Sequence, residues 1–247
     1  MTTKYIFPHF GLGDAIIING LVRHFCSIYD SVVYFSSDIY FSSIKYMFRD
    51  LKNLNIINFG DLGSVFQNCK NFISNNGLEN DVIEIGYEKL YHECNHKNPG
   101  TPFYKGFYTM FDMDPLNRFD NFLYERNFDY EDYVFNYLNP KNEEYIFIID
   151  DPEHHLGNLK INEEKIKNNF KIIKYNKRLN YNDERFLLFN YGKIIENAKE
   201  VHSVETAFLE FIFSMNYDVP VYIHSYLRNY IDRKDIPKTK NFHIVDI

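Results

Sequence analysis

The stretch Tyr5–Phe35, YIFPHFGLGDAIIINGLVRHFCSIYDSVVYF, decides the fold. Tyr5–Phe10 is apolar and aromatic, a composition that suits a buried pleated strand. Gly11 and Gly13 then punctuate the chain, and Ala15–Tyr29 spaces its apolar residues as an amphipathic helix does. Ser31–Phe35 returns to β-branched and aromatic residues, a second strand. Strand, glycine turn, helix, strand is a βαβ unit, whose strands lie parallel and whose crossover is right-handed.

Outward from this unit the alternation continues. A helical stretch spans Ile39–Leu51, a strand Leu54–Phe59, a helix Ser64–Ser74 and a fourth strand Asp81–Ile85. From Phe103 to Leu138 the chain is aromatic-rich and helical in pattern, broken at Pro115. Asn139-Pro140-Lys141-Asn142 is a polar break, because proline biases its predecessor away from helix. A second series comes next, with strands at Tyr145–Ile149, Phe170–Tyr175, Glu200–Val204, Val219–Ile223 and Phe242–Val245. Helices are expected between them at Ile161–Asn169, Phe186–Ala198 and Thr206–Met215. The fold class is therefore α/β, with two Rossmann-like halves, 1–139 and 140–247, whose parallel sheets are expected to face a central cleft.

The 247 residues carry 27 Lys+Arg against 34 Asp+Glu, a net charge of −7, which argues against non-specific nucleic-acid binding. The 45% hydrophobic content is that of a globular chain. The bias towards Phe, Tyr, Ile, Lys and Asn reads as the mark of an AT-rich genome. Cys26, Cys69 and Cys94 form no CxxC pair and read as reduced thiols. The start MTTKYIFPHF has no signal-peptide pattern, and no apolar run is long enough to cross a bilayer. A cytoplasmic location is the expectation, in a host cytoplasm if the source is viral.

Two loops fit ligand chemistry. Gly11-Leu12-Gly13-Asp14 lies at a strand-to-helix switch, where glycines permit close backbone approach and helix N–H groups favour an anion. A capping role for Asp14 would fit the same position. Ile16 stands where a dinucleotide fingerprint needs glycine, and the loop lacks a GK[ST] ending, so NAD binding and ATP hydrolysis are disfavoured. The second loop, His202–Ala207, occupies the equivalent place in the second half. There Ser203, Glu205 and Thr206 can meet hydroxyls or phosphates, or Ser203 and Thr206 can cap the helix.

The segments GLGDAIIINGLVRHF and AKEVHSVETAFLEF resemble the two signature regions of GT-B-fold glycosyltransferases, in particular the heptosyltransferase-like group. That group opens with strand, (G/M)GD and helix, and later carries V-D-T-G-x-x-H. The resemblance implies Asp14 as general base on an acceptor hydroxyl, and a donor contact at Glu205, which stands for the family's Asp. Thr206 is kept, Ala207 replaces Gly, and Glu210 replaces His. The implied partners are a nucleotide-diphosphate sugar and a glycan or other hydroxyl acceptor, with no cofactor or metal required.

His9 is the alternative base, since an ordinary imidazole titrates near neutrality. Lys174, Arg178 and Arg228 are candidate cations for a diphosphate, and Arg118 and Arg126 for the acceptor or for nearby acids. Asp150-Asp151-Pro152-Glu153-His154-His155 has metal-ligating composition, although a polar surface loop fits it better. Phe103–Tyr108 can stack on sugars but fits core packing better, with one or two tyrosines left exposed. Two competing functions remain at this level. Asp112-Met113-Asp114 has the D-x-D form of single-domain, GT-A-like enzymes that hold Mg²⁺ or Mn²⁺, though Pro115 makes Asp114 look like a helix cap. A non-catalytic nucleotide-sugar binder is the other.

Overall fold

The computed structural model of the chain describes residues 2–139, 141–152, 159–166, 170–176, 179, 183–215, 217–225 and 241–245. They form two compact units, Met1–Glu125 and Arg126–Ile247. Pro140, Glu153, His154, His155, Arg178, Arg228 and the end of the expected helix Ile161–Asn169 lie outside the described residues.

The first unit holds β1 (Thr3–Pro8), β2 (Ser31–Ser36), β3 (Leu54–Asn58) and β4 (Val82–Ile85), all parallel, in the order β3-β2-β1-β4. Tyr5 lies opposite Val33 on one side and Val82 on the other. Val32–Phe35 is buried residue after residue, as a parallel strand covered on both faces must be. Phe7, Phe10, Val33 and Phe35 pack against Val65, Cys69 and Ile73 of a helix at Val65–Asn75. Each buried Phe contributes about 1.5–3 kcal/mol of transfer free energy.

The helix expected at Ala15–Tyr29 is two, α1 (Leu12–Ile17) and α2 (Asn19–Ile28). The Tyr108 hydroxyl donates to the Ile17 carbonyl at 2.8 Å and opens the ladder there. Beyond the break, the buried Asn19 amide exchanges two hydrogen bonds with the Leu123 backbone. The remaining helices of this unit are α3 (Asp38–Met47), α4 (Val65–Asn75), α5 (Tyr87–His92), α6 (Phe103–Thr109) and α7 (Asn117–Asp120). A π-helical turn, Glu93–Lys97, continues α5.

The second unit holds β5 (Tyr145–Ile149), β6 (Lys171–Lys174), β7 (Glu200–Val204), β8 (Val221–His224) and β9 (Phe242–Val245), again all parallel, in the order β6-β5-β7-β8-β9. Its helices with described bounds are α8 (Phe128–Leu138), α9 (Gly192–Glu196) and α10 (Ala207–Ser214). The expected helix Phe186–Ala198 is instead two 3₁₀ turns and then α9.

The units divide at Glu125 rather than at residue 139, because α8 packs within the second unit. Arg126 pairs with Glu131 of α8 and with Glu196 of α9, and Lys193 pairs with Asp132. Gly192 makes this approach possible, since a Cβ there would lie 2.7 Å from Glu131 Oε2 and 2.8 Å from Arg126 Nη2. Among the described residues, no helix is long and apolar enough to cross a membrane.

Candidate functional site

In each sheet one place invites a ligand. Strand order reverses between β1 and β4 in the first unit and between β5 and β7 in the second, and the crevice outside their carboxyl ends is the binding position of open α/β sheets.

At the first of these, the His9 N–H donates to the Ile85 carbonyl at 2.8 Å and extends the β1–β4 pairing beyond Pro8. The His9 imidazole then bonds through Nδ1 to Asp14 Oδ2 at 2.7 Å. Asp14 sits in the first turn of α1, and Gly11, with φ −79° and ψ 145°, is the N-cap. The capping role considered for Asp14 is therefore not the one it has, because its carboxylate turns back to His9. Gly11 is required for that turn-back: a Cβ would collide with Asp14 Oδ2. Gly13 lies within α1, partly exposed.

Two aromatic rings hold the imidazole. Tyr87 lies 5.0 Å from it and Phe103 meets it edge-on at 5.4 Å. Tyr87 comes directly after Gly86, and both have positive φ, 45° and 143°. A Cβ on Gly86 would lie 2.9 Å from the His9 nitrogen, so glycine and close approach go together here. A non-glycine residue with positive φ costs roughly 1–3 kcal/mol and persists where its surroundings hold it. Stacking on Phe7, a tilted contact with Phe66 and an N–H from Phe10 to its hydroxyl supply that hold. Burial pushes the Tyr87 hydroxyl up to about 12, so it stays protonated at neutral pH.

The pair is open to reaction, with side chains 35% exposed for His9 and 22% for Asp14. An imidazole that donates its Nδ1 proton to a carboxylate presents Nε2 as a proton acceptor, the orienting logic of a base with a second group behind it.

In the second unit, β7 ends at Val204 and Thr206 is the N-cap of α10. Ser203 is buried and donates to the Val204 carbonyl at 2.9 Å, so it serves the backbone rather than a ligand. Glu205 accepts from the Ser225 hydroxyl at 3.0 Å. Thr206 makes no side-chain cap, and its hydroxyl is buried without a hydrogen-bond partner. Thr206 thus takes the expected N-cap place without its side chain capping, Ser203 does not cap, and an unsatisfied hydroxyl beside a helix N-terminus can meet an anion.

At the tip of β5, burial raises the Asp150 carboxyl above its ordinary range, with Lys174 opposing the shift from 4.0 Å. Lys174 is also paired with Glu163, so this expected phosphate cation is already held by two carboxylates. The backbone of Asp151 is committed to a bridge with Leu159.

Other expected residues are structural. Arg118 is 6% exposed, against the Tyr104 and Phe119 rings at 4.7 and 4.4 Å, inside the aromatic segment. Arg126 pairs with acids. Phe107 and Tyr108 are core, and Phe103 rather than a tyrosine reaches the site. Asp114 Oδ1 accepts from the Leu116 N–H at 2.9 Å, a turn cap, while Asp112, almost fully exposed, lies 3.9 Å from Lys97. The two carboxylates of the D-x-D have separate partners, and the two-sheet architecture replaces the single-domain GT-A-like alternative. Among the described residues, no group of three or more His, Cys, Asp or Glu is placed to hold a metal. The three cysteines are buried thiols, with Cys26 pushed up to about 11 and Cys69 to about 12.

Sequence reasoning missed Gly86, Tyr87 and the role of Phe103. A glycine directly after the strand Asp81–Ile85 was the available signal, since that strand borders the first one at the switch point.

No protein-family model matches the chain, and no curated protein is significantly similar to it. Solved structures are similar. A glycosyl transferase family 9 protein from Veillonella parvula DSM 2008 aligns with TM-score 0.59 and 8% identity, covering 99% of this chain and 85% of that one. The E. coli ADP-heptose LPS heptosyltransferase II aligns with TM-score 0.54 and 10% identity, covering 99% of this chain and 90% of that one. At these identities the likeness is one of fold.

Proposed function

We propose that this protein is a glycosyltransferase that moves a sugar from a nucleotide-diphosphate donor to a hydroxyl acceptor. The observation that carries the reading is the His9–Asp14 hydrogen bond at the strand-order reversal of the first unit. The fold shared with two transferases supports it.

In this reading His9 Nε2 takes the acceptor hydroxyl proton while Asp14 fixes the ring and stabilises the imidazolium that forms. The acceptor oxygen bonds to the anomeric carbon as the bond to the diphosphate oxygen breaks, and the electron pair leaves with the nucleoside diphosphate. Asp14, expected from sequence to be the base itself, becomes the group behind the base. The second unit serves the donor, with the Thr206 hydroxyl and the α10 N-terminus meeting diphosphate oxygens and Glu205 meeting donor hydroxyls. This chemistry places no divalent cation between protein and diphosphate, so turnover is expected to survive EDTA.

The test is a screen of nucleotide-diphosphate sugars for release of the nucleoside diphosphate, paired with thermal shifts in UDP, GDP and ADP. Stabilisation by one nucleotide, with turnover that His9→Asn removes, is the expected result. Stabilisation without turnover on any acceptor would instead make the chain a nucleotide-sugar binder, and full turnover in His9→Asn would remove His9 from the mechanism.

A further inference from the structure

Beside the candidate transfer site, and sharing Tyr87 with it, a groove of about 470 Å³ opens on the first unit, lined by Phe66, Tyr87, Glu88, Tyr91, His92 and His96. Glu88, His92 and His96 recur every four residues along α5 and its π-helical extension, so they lie along one side of a continuous helix. We propose that His92 and His96 chelate a divalent transition metal of the zinc, nickel and copper class at this groove.

The geometry argues for it. Two histidines four apart on one helix are a recurrent zinc-binding arrangement. A zinc–imidazole bond of ~2.0–2.1 Å, with the ring centroid ~1.1 Å behind the nitrogen, puts two tetrahedrally disposed rings with centroids ~5.2 Å apart. The His92 and His96 centroids are 5.5 Å apart, and their planes are inclined by 41°, not stacked face to face. Both imidazoles are exposed, so an ion reaches them. Glu88 lines the same groove, with Lys70 3.9 Å from its carboxylate, so the two histidines and not the local charge carry the site.

The segment carrying His96 is also held from behind. The Asn98 amide donates to Glu93 Oε1 at 2.6 Å, the Asn98 N–H donates to the Glu93 carbonyl at 2.8 Å, and Cys94 is buried against Gly106. A π-helical turn is rare and tends to occur at functional positions, and this one begins directly after His92 and contains His96. Neutral imidazoles select borderline metals over Mg²⁺ or Mn²⁺. Two protein ligands leave positions for water or for a molecule lying in the groove.

Zn²⁺ titrated calorimetrically into the untagged full chain tests this. One equivalent is expected to bind, more weakly on acidification because the metal takes the neutral imidazole. Zn²⁺ should also raise the melting temperature. His92→Ala and His96→Ala, both at exposed positions, should each remove that equivalent and the thermal shift, with metal-free melting unchanged. A His154→Ala/His155→Ala double variant should keep both. Absence of saturable binding in the unmodified chain, an equivalent that persists in both single variants, or its loss in the 154/155 double variant would overturn the site. None of these readouts depends on sugar transfer.

Discussion

Gly11→Ala tests the His9–Asp14 pair without touching either residue. Gly11 has φ −79° and ψ 145°, which alanine adopts without strain, so the backbone has no reason to move. The added methyl would overlap the Asp14 carboxylate oxygen that bonds His9, and the flexible side chain is the part that yields. Stability should fall by about 0.5–2.5 kcal/mol, because Gly→Ala at a compatible site gains only about 0.4–1 kcal/mol against the charged hydrogen bond that is lost. The lost hydrogen bond involves a charged partner, worth about 1.5–3 kcal/mol. At about 1.4 kcal/mol per factor of ten, kcat/KM for nucleoside-diphosphate release should fall roughly ten- to a hundred-fold. A substrate-free readout accompanies this: the downfield Nδ1–H proton resonance of His9 should disappear. Asp14→Asn should give a loss of the same order, and the double variant should lose no more than Asp14→Asn alone, since both changes remove one interaction. Turnover within twofold of the unmodified protein, or losses that multiply in the double variant, would refute the reasoning.

Thr206→Val removes a hydroxyl with no partner in the free protein, so stability should hold or rise while nucleoside-diphosphate affinity falls by about 0.5–1.5 kcal/mol; melting and calorimetry report the two effects separately. Gly86→Ala forces a side chain into φ 143°, ψ −165° against His9, and should cost about 1–3 kcal/mol in urea unfolding. Arg126→Met leaves the Glu131 carboxylate, 1% exposed, without its cation and should cost about 3–5 kcal/mol in urea, part of which Glu131→Leu recovers. Asp150 has its folded pKa raised from 3.8 by burial, so the folded chain binds this proton more tightly than the unfolded one, and stability declines as pH rises through that window. Asp150→Asn should therefore melt higher than the unmodified protein at pH 7, with the gap closing towards pH 4.

Much of the architecture was legible because parallel strands buried on both faces announce themselves. YIFII at Tyr145–Ile149 and SVVYF at Ser31–Phe35 have nowhere to sit but the middle of a sheet. The strand tips were legible for the same reason, since a glycine turn between strand and helix has few uses. The partnership of His9 with Asp14 was not, because it depends on a side chain folding back over Gly11, and local sequence does not state where a carboxylate points. The unit boundary was hidden likewise: Asn139-Pro140 looks like a linker, but the Arg126 ion pairs with Glu131 and Glu196 tie α8 to α9 and so to the second unit. Lys174 looked available for a phosphate because its pairing with Glu163 joins two elements eleven residues apart, which local sequence does not state.

The Arg126–Glu131–Glu196 cluster also dictates where the polypeptide can be cut. A fragment beginning at residue 140 would discard α8 and strip Glu196 of its guanidinium. It would also uncover the Tyr145 ring that Phe135 shelters. Excision just before Arg126 keeps these contacts whole, so the shorter fragment should aggregate where the longer one stays in solution.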